Sequence, residues 1–316
     1  MVASAGHGAC PGPVVCVCGP TASGKSDLAD RVALALSGDV ISVDAMQVYR
    51  GMDIGTAKTP EAERRVPLLM VDVAEVGEDF SCAMFQRMAR ALVDERLARG
   101  AVPVLCGGTG LYLDSVIDEM TFPRGDARSD ARLEFERMAR ERGPEAVWKL
   151  LRERDPASAE VIHPHNVRRT IRALEMLEEG TSYAEQLGGL KRRAPHYDAR
   201  IWGISRDRAE LYARIDARVD RMVAEGLVEE VRALAERGLA AALTSKQAIG
   251  YKEVLDALSG ASTLDDAIEL IKRRTRRYAK RQLSWLRRDG RVRWLDMDVL
   301  TPEAATDLIL TDLAEG

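Results

Sequence analysis

The sequence predicts an α/β fold, a parallel sheet covered by helices on both faces and interrupted by a helical insertion. Three observations predict it. Short apolar runs rich in β-branched residues alternate with amphipathic stretches of helix length, the spacing of strand–helix–strand units. A glycine-rich turn stands between the first such run and the first helix. From Thr121 to Pro195 the strand pattern stops and only helical periodicity remains.

The elements follow in order. Val14-Val15-Cys16-Val17-Cys18 reads as a buried strand, and a helix is expected from Lys25 to about Leu36, closed by Gly38. Val40-Ile41-Ser42-Val43 is the second strand and residues 68–73 the third. Ser81 is placed to cap a helix that runs to Arg99, with Gly100 just beyond it. Residues 102–106 form the fourth strand, and Gly107-Gly108-Thr109-Gly110 leads into another helix. In the insertion, helices are expected over 132–142, 144–154 and 167–179, separated by Gly143, Asp155-Pro156 and Gly180. A strand returns at 201–204. Helices over 208–225, 227–237, 246–258 and 264–288, a strand at 292–295 and an acidic helix complete the chain. The expected division is a core of residues 1–120 and 196–316 with an insertion of 121–195.

Composition narrows the class. Of 316 residues 46% are hydrophobic and 30% charged, the balance of an ordinary globular protein. No apolar stretch approaches the roughly 20 residues of a membrane span. The first 13 residues are small and Gly/Pro-rich, without the basic start and apolar run of a signal peptide, so a short leader and a cytoplasmic protein are expected. Cys10, Cys16, Cys18, Cys82 and Cys106 are scattered and form no C-x-x-C pair, which argues for core thiols over a zinc site. His163 and His165 flank Pro164 without the spacing of a helical metal pair.

The net charge of −4 gives no general sign of nucleic-acid binding, but its distribution does. Between positions 272 and 293 stand Lys272, Arg273, Arg274, Arg276, Arg277, Lys280, Arg281, Arg287, Arg288, Arg291 and Arg293 against one acid, Asp289. Such a run is often a solvated helix face; its density favours a polyanionic partner.

Gly19-Pro20-Thr21-Ala22-Ser23-Gly24-Lys25-Ser26 fits G-x-x-x-x-G-K-[ST] and sits between an apolar strand and a helix, the context that gives the pattern meaning. The glycines let the backbone curl so that its N–H groups point inward at the positive end of a helix dipole. Lys25 adds a point charge for phosphate oxygens, and the Ser26 hydroxyl suits magnesium. The fold expected is therefore P-loop NTPase-like, and the ligand a di- or triphosphate. Two more loops leave strand carboxyl ends, where open α/β sheets place ligands: one carries Asp44, the other Thr109. An Asp there suits either an outer partner of magnesium or a general base, and spacing does not choose.

Several runs together resemble the tRNA dimethylallyltransferase (tRNA isopentenyltransferase) family. They are the loop of Gly19 and Ser26; Ser42-Val43-Asp44-Ala45-Met46-Gln47-Val48-Tyr49-Arg50-Gly51-Met52-Asp53-Ile54-Gly55-Thr56-Ala57-Lys58; Gly107-Gly108-Thr109-Gly110-Leu111-Tyr112; Ile162-His163-Pro164 with Arg168-Arg169 and Arg172-Ala173-Leu174-Glu175; Gln247-Ala248-Ile249-Gly250-Tyr251-Lys252-Glu253; and Thr275-Arg276-Arg277-Tyr278-Ala279-Lys280-Arg281-Gln282-Leu283-Ser284-Trp285. They stand in the family's order and span the chain from Gly19 to about Arg288. The second and the last are long and distinctive.

The resemblance implies a P-loop core whose helical insertion helps hold an anticodon stem-loop. It implies transfer of a dimethylallyl group from dimethylallyl diphosphate to the exocyclic amine of adenosine at tRNA position 37, flipped into a channel through the core. The loop residues Gly19, Pro20, Thr21, Ala22, Ser23, Gly24, Lys25 and Ser26 would hold the diphosphate, with Mg2+ at Ser26. Asp44 matches the general base, Thr109 a hydroxyl that holds Asp44 or the diphosphate, and Arg218 an arginine on the diphosphate. For tRNA the resemblance points to Asp44, Ala45, Met46 and Gln47; to Arg132; to Arg168, Arg169, Thr170, Ile171 and Arg172; and to Gln247, Ala248, Ile249, Gly250, Tyr251 and Lys252. A monomer of the bacterial type is expected. Two departures stand out. Pro67-Leu68-Leu69 replaces the family's frequent Pro-His-His, and His165-Asn166 replaces an Asn followed by Asn or Asp. A P-loop kinase of a small molecule shares the sheet, the loop and the magnesium, and is the alternative reading.

Overall fold

The computed structural model describes residues 11–122, 129–191 and 194–315; residues 1–10, Cys10 included, lie outside them. Six strands form one sheet: β1 Val14–Cys18, β2 Val40–Val43, β3 Leu68–Leu69, β4 Val104–Gly107, β5 Ala199–Ser205 and β6 Arg293–Asp296. All neighbours pair in parallel, in the order β3-β2-β4-β1-β5-β6. β1 is buried along its whole length, as expected of a central strand with helices on both faces. Its residues alternate between two cores, because successive strand side chains point to opposite faces. Val14, Cys16 and Cys18 join Phe85, Val116, Leu227 and Tyr251; Val15 and Val17 join Leu28, Val32 and Ile309.

Two compact units are present, Met1–Asp118 with Pro195–Gly316, and Glu119–Ala194. In the first, the sheet is accompanied by α1 Lys25–Ala35, α2 Cys82–Ala98, α3 Gly110–Ile117, α9 Arg208–Ala224, α10 Leu227–Glu236, α11 Tyr251–Leu258, α12 Leu264–Leu286 and α13 Pro302–Glu315. Every regular element among the described residues of the second is a helix: α4 Asp130–Arg142, α5 Pro144–Arg154, α6 Pro156–Val161, α7 Val167–Glu178 and α8 Tyr183–Lys191, around a small core of Val147, Leu151, Ile171 and Leu174. No helix of the described residues is long and apolar enough to cross a membrane.

The short helices α6 and α8 are not among those expected from the periodicity, and two further elements depart from it for local reasons. The third strand ends at Leu69, because Met70 and Asp72 take positive φ (59° and 56°) and lift the chain out of the ladder. The helix expected from 246 begins only at Tyr251. Gly250 has φ 100°, so residues 248–250 form an irregular segment between a 3-10 turn at Ser245–Gln247 and α11. The Ser81 cap is present, its side chain accepting from Met84 N at 3.2 Å, a contact worth about 1 kcal/mol.

Register decides where the functional loops emerge. Cys18 and Val43 both pair with Gly107, so β1, β2 and β4 end level with one another. The loop after β1, Asp44 after β2 and Thr109 after β4 therefore leave the sheet side by side.

Candidate active site

A cavity of about 450 Å³ opens at this edge. Its lining brings together Thr21, Lys25 and Ser26 from the first loop, Asp44, Ala45, Met46 and Gln47 from the second, Thr109, Arg218 on α9, and Gln247, Ala248, Ile249 and Gly250. Residues more than 200 positions apart thus share one chamber.

The first loop is held from outside as well as by its own turn. Gly24 takes φ 100°, a conformation that costs glycine little and other residues much, and it sets the start of α1. Lys25 Nζ donates to Pro20 O at 3.3 Å. Three distant side chains engage successive main-chain groups. Gln282 Oε1 accepts from Thr21 N at 2.9 Å, Arg214 Nε donates to Ala22 O at 2.9 Å, and Arg206 Nε donates to Ser23 O at 2.9 Å. Gln282 Nε2 also donates to Gly108 O at 3.0 Å, tying the β1 and β4 loops together. Sequence spacing gives no sign of these three partners, because each acts on backbone far away in the chain. Pro20, Ala22 and Ser23 are buried within the loop, and Gly19 N bonds back to Gly107 O at 3.3 Å.

Cations are concentrated at this end. Burial, and next in the same direction the nearby Arg218 charge, lower the Lys25 pKa from its ordinary value. Burial, then Arg221 and Arg214, lower that of Arg218. Two half-buried cations that repel each other and lack sufficient water are relieved by an anion between them. Cys106 completes the floor: its thiol contacts Lys25 O at 3.6 Å, and burial pushes its pKa up to about 11.

Asp44 uses its two oxygens differently. Oδ1 accepts from Met46 N at 2.8 Å and Gln47 N at 3.2 Å, which fixes the carboxylate on its own turn. Oδ2 has no hydrogen-bond partner among the described residues. Thr109 occupies the N-cap of α3 yet makes no cap bond with its side chain; Oγ1 accepts from Ala45 N at 3.4 Å instead. The hydroxyl therefore holds the Asp44 turn through its main chain. Tyr278, in the run at 275–285, also lines the chamber; burial and the Asp44 charge push its pKa up to about 12.

Other expected residues lie elsewhere. Tyr251 is fully buried behind the 247–250 segment, and Lys252 pairs with Asp256 at 3.1 Å on α11. In the helical unit, Arg132 pairs with Glu136 at 2.9 Å and with the buried Glu175 at 3.1 Å, and Arg172 stands 3.7 Å from Glu175. Thr170 and Ile171 are buried in that unit's interior, whereas Arg168 and Arg169 are exposed and carry no ion-pair partner among the described residues. The basic helix α12 divides its charges. Lys272, Arg276 and Arg274 pair with Asp220, Asp216 and Glu253, while Arg273, Arg277 and Lys280, with Arg287 and Arg288 just past its end, are exposed. Its other face braces the core, with Trp285 Nε1 donating to Asp114 Oδ2 at 3.0 Å.

Fold and site together define a P-loop-like α/β protein with a cationic loop and a fixed carboxylate in one chamber. Known proteins agree. The family model described as IPP transferase matches residues 47–289. The tRNA dimethylallyltransferase of Carboxydothermus hydrogenoformans is 44% identical over 303 residues, covering 95% of this chain and 96% of its own; that of Salinispora arenicola is 48% identical, covering 90% and 82%. The crystal structure of tRNA delta(2)-isopentenylpyrophosphate transferase from Staphylococcus epidermidis superposes with a TM-score of 0.71 at 36% identity, covering 96% of this chain and 100% of that one. A eukaryotic dimethylallyltransferase acting on tRNA gives 0.79 at 27% identity, covering 96% and 79%. The chain belongs to the IPP transferase family and is an enzyme, a prenyltransferase.

Proposed function

We propose that this protein transfers a dimethylallyl group from dimethylallyl diphosphate to the exocyclic amine of adenosine at tRNA position 37, releasing diphosphate. The observation that carries the reading is the meeting of the Lys25 loop, Arg218 and a half-free Asp44 carboxylate in a single chamber. The donor's two ends have matching surroundings. The diphosphate suits Lys25, Arg218 and the loop N–H groups, and the five-carbon chain suits Ile215, Val219, Met222, Leu227 and Ile271.

The amine nitrogen attacks the allylic carbon as the carbon–oxygen bond to the diphosphate breaks. The bonding pair leaves with the diphosphate, whose growing charge meets fixed cations and dipoles, the arrangement that lowers such a barrier most. The nitrogen becomes cationic and gives its proton to Asp44 Oδ2, the oxygen not committed to the turn. Thr109 keeps that turn in place through Ala45 N.

Magnesium fits this floor. The exposed Ser26 hydroxyl and the Asp30 carboxylate are hard oxygen donors on the same lining, few in number, as suits an ion that retains waters and binds phosphate oxygens. Bound there, the ion adds positive charge at the departing diphosphate. The flipped adenine meets Met46, Gln47 and residues 247–250, and the backbone of the RNA meets exposed arginines such as Arg168 and Arg169.

Incubation with labelled dimethylallyl diphosphate and, separately, with γ-labelled ATP separates this reading from a kinase. Label from the allylic donor is expected in RNA. Label from ATP in a small molecule, with none from the allylic donor in RNA, contradicts it.

A further inference from the structure

Two segments that adjoin the cavity wall, the loop at 53–55 and Tyr251, converge on one carboxylate that is not itself part of the lining. Glu230 lies in the first turn of α10, where an acid would ordinarily serve only the helix dipole. Its bonds run elsewhere. Oε2 accepts from Asp53 N at 3.1 Å and Ile54 N at 2.7 Å; Oε1 accepts from Gly55 N at 3.1 Å and Tyr251 Oη at 2.5 Å. Gly55, Thr56 and Ala57 line the cavity, as do Leu227 at the start of α10 and the 247–250 segment directly before Tyr251. Contact is close: a Cβ on Gly55 would lie 2.5 Å from the Tyr251 ring.

The loop passes this order on to Gln47. Gln47 Nε2 donates to Thr56 O at 3.2 Å and to Ala57 O at 3.5 Å, while Oε1 accepts from Ser42 Oγ at 2.7 Å. The direction of the Gln47 amide is therefore set by the Thr56 and Ala57 carbonyls on one side and the Ser42 hydroxyl on the other. The far end of the loop has its own anchors, buried Lys58 donating to Asp72 Oδ1 at 2.8 Å and Tyr49 O at 3.1 Å as well as back to Asp53 Oδ1 at 2.6 Å. Loss of Glu230 thus loosens the stretch that shapes the wall and leaves the rest of the loop anchored.

We propose that Glu230 is a positioning residue: touching neither substrate, it sets the RNA-side wall and, through Thr56 and Ala57, the orientation of the Gln47 amide. The inference rests on the reading of the cavity as a prenyl-transfer site. The chemistry of the contact is specific, because four donors converge on two oxygens. A neutral amide of the same size offers one oxygen and turns its own N–H groups toward backbone N–H groups.

The test is steady-state kinetics of Glu230→Gln with magnesium, dimethylallyl diphosphate and an anticodon stem-loop, each substrate varied in turn. The KM for RNA is expected to rise about tenfold, from the loss of hydrogen bonds to a charged group, with the KM for the diphosphate donor within about twofold of native. Tyr251→Phe, which removes one donor and keeps the ring, is expected to raise the RNA KM less and in the same direction; it carries the test if Glu230→Gln fails to fold. An unchanged RNA KM in a folded variant, or a parallel rise in both KM values, overturns the proposal. Failure of the native enzyme to prenylate the RNA would instead strike the functional reading beneath it.

Discussion

The two ends of the cavity are built in different ways. The Lys25 end is a contiguous loop whose shape comes from its own backbone, with Gln282, Arg206 and Arg214 holding main-chain groups from behind. The opposite wall is assembled from two stretches far apart in the chain, residues 44–57 and 247–250. Residues 44–47, the 53–57 loop and Tyr251, which follows the 247–250 segment, are linked by side-chain bonds, most of them ending on Glu230 or Gln47. A site made from backbone curvature demands particular residues at fixed spacing, whereas a site made from convergent side chains demands only that the fold deliver them.

The difference can be broken experimentally, because the ends should fail in different parameters. Asp44, between them, should give the largest effect. Asp44→Asn is expected to bind both substrates while single-turnover transfer slows by about 10²–10⁴, the range of general-base catalysis. A transfer rate within a few-fold of native would remove Asp44 from proton transfer. Lys25→Ala should lose about 10–100-fold in affinity for the diphosphate donor, the worth of a charge-assisted contact, and leave RNA affinity unchanged. Equilibrium binding of each ligand checks this, and a loss confined to RNA would place the anion cradle elsewhere. Gln282→Leu, which leaves Thr21 N and Gly108 O without that partner, should weaken the donor about fivefold, corresponding to about 1 kcal/mol. The smallest effect belongs to the helical unit. Arg168→Ala and Arg169→Ala should each weaken RNA by about two- to threefold and lower the salt dependence of binding by roughly one counterion. An unchanged salt slope would show that these arginines do not meet phosphate.

Legibility in the sequence follows the same division. β1, β2 and the Gly19-to-Ser26 turn are plain because a buried parallel strand needs apolar β-branched residues and a curled anion loop needs glycine. The end of β3 is not plain, since positive φ at Met70 and Asp72 carries no compositional mark. The late start of α11 was foreshadowed only by Gly250, a single glycine in an otherwise helical pattern. Asp44 and Thr109 could be placed from their positions after strands, and both line the cavity. Gln282 stands in the distinctive 275–285 run and Glu230, Arg206 and Arg214 in ordinary amphipathic or polar stretches, but nothing in the sequence marks which distant main-chain groups each of them holds; only tertiary packing turns them toward the site. The basic run at 272–293 was visible as charge, yet charge alone did not separate the residues paired with Asp216, Asp220 and Glu253 from those left to solvent.

The most direct test of the central claim is the identity of the product nucleoside. Purified protein, magnesium, dimethylallyl diphosphate and an anticodon stem-loop are incubated, and the RNA is digested to nucleosides for mass spectrometry. The account predicts one adenosine per RNA carrying a five-carbon group on its exocyclic nitrogen, at position 37. RNA of unchanged mass, or alkylation at another atom or position, contradicts it.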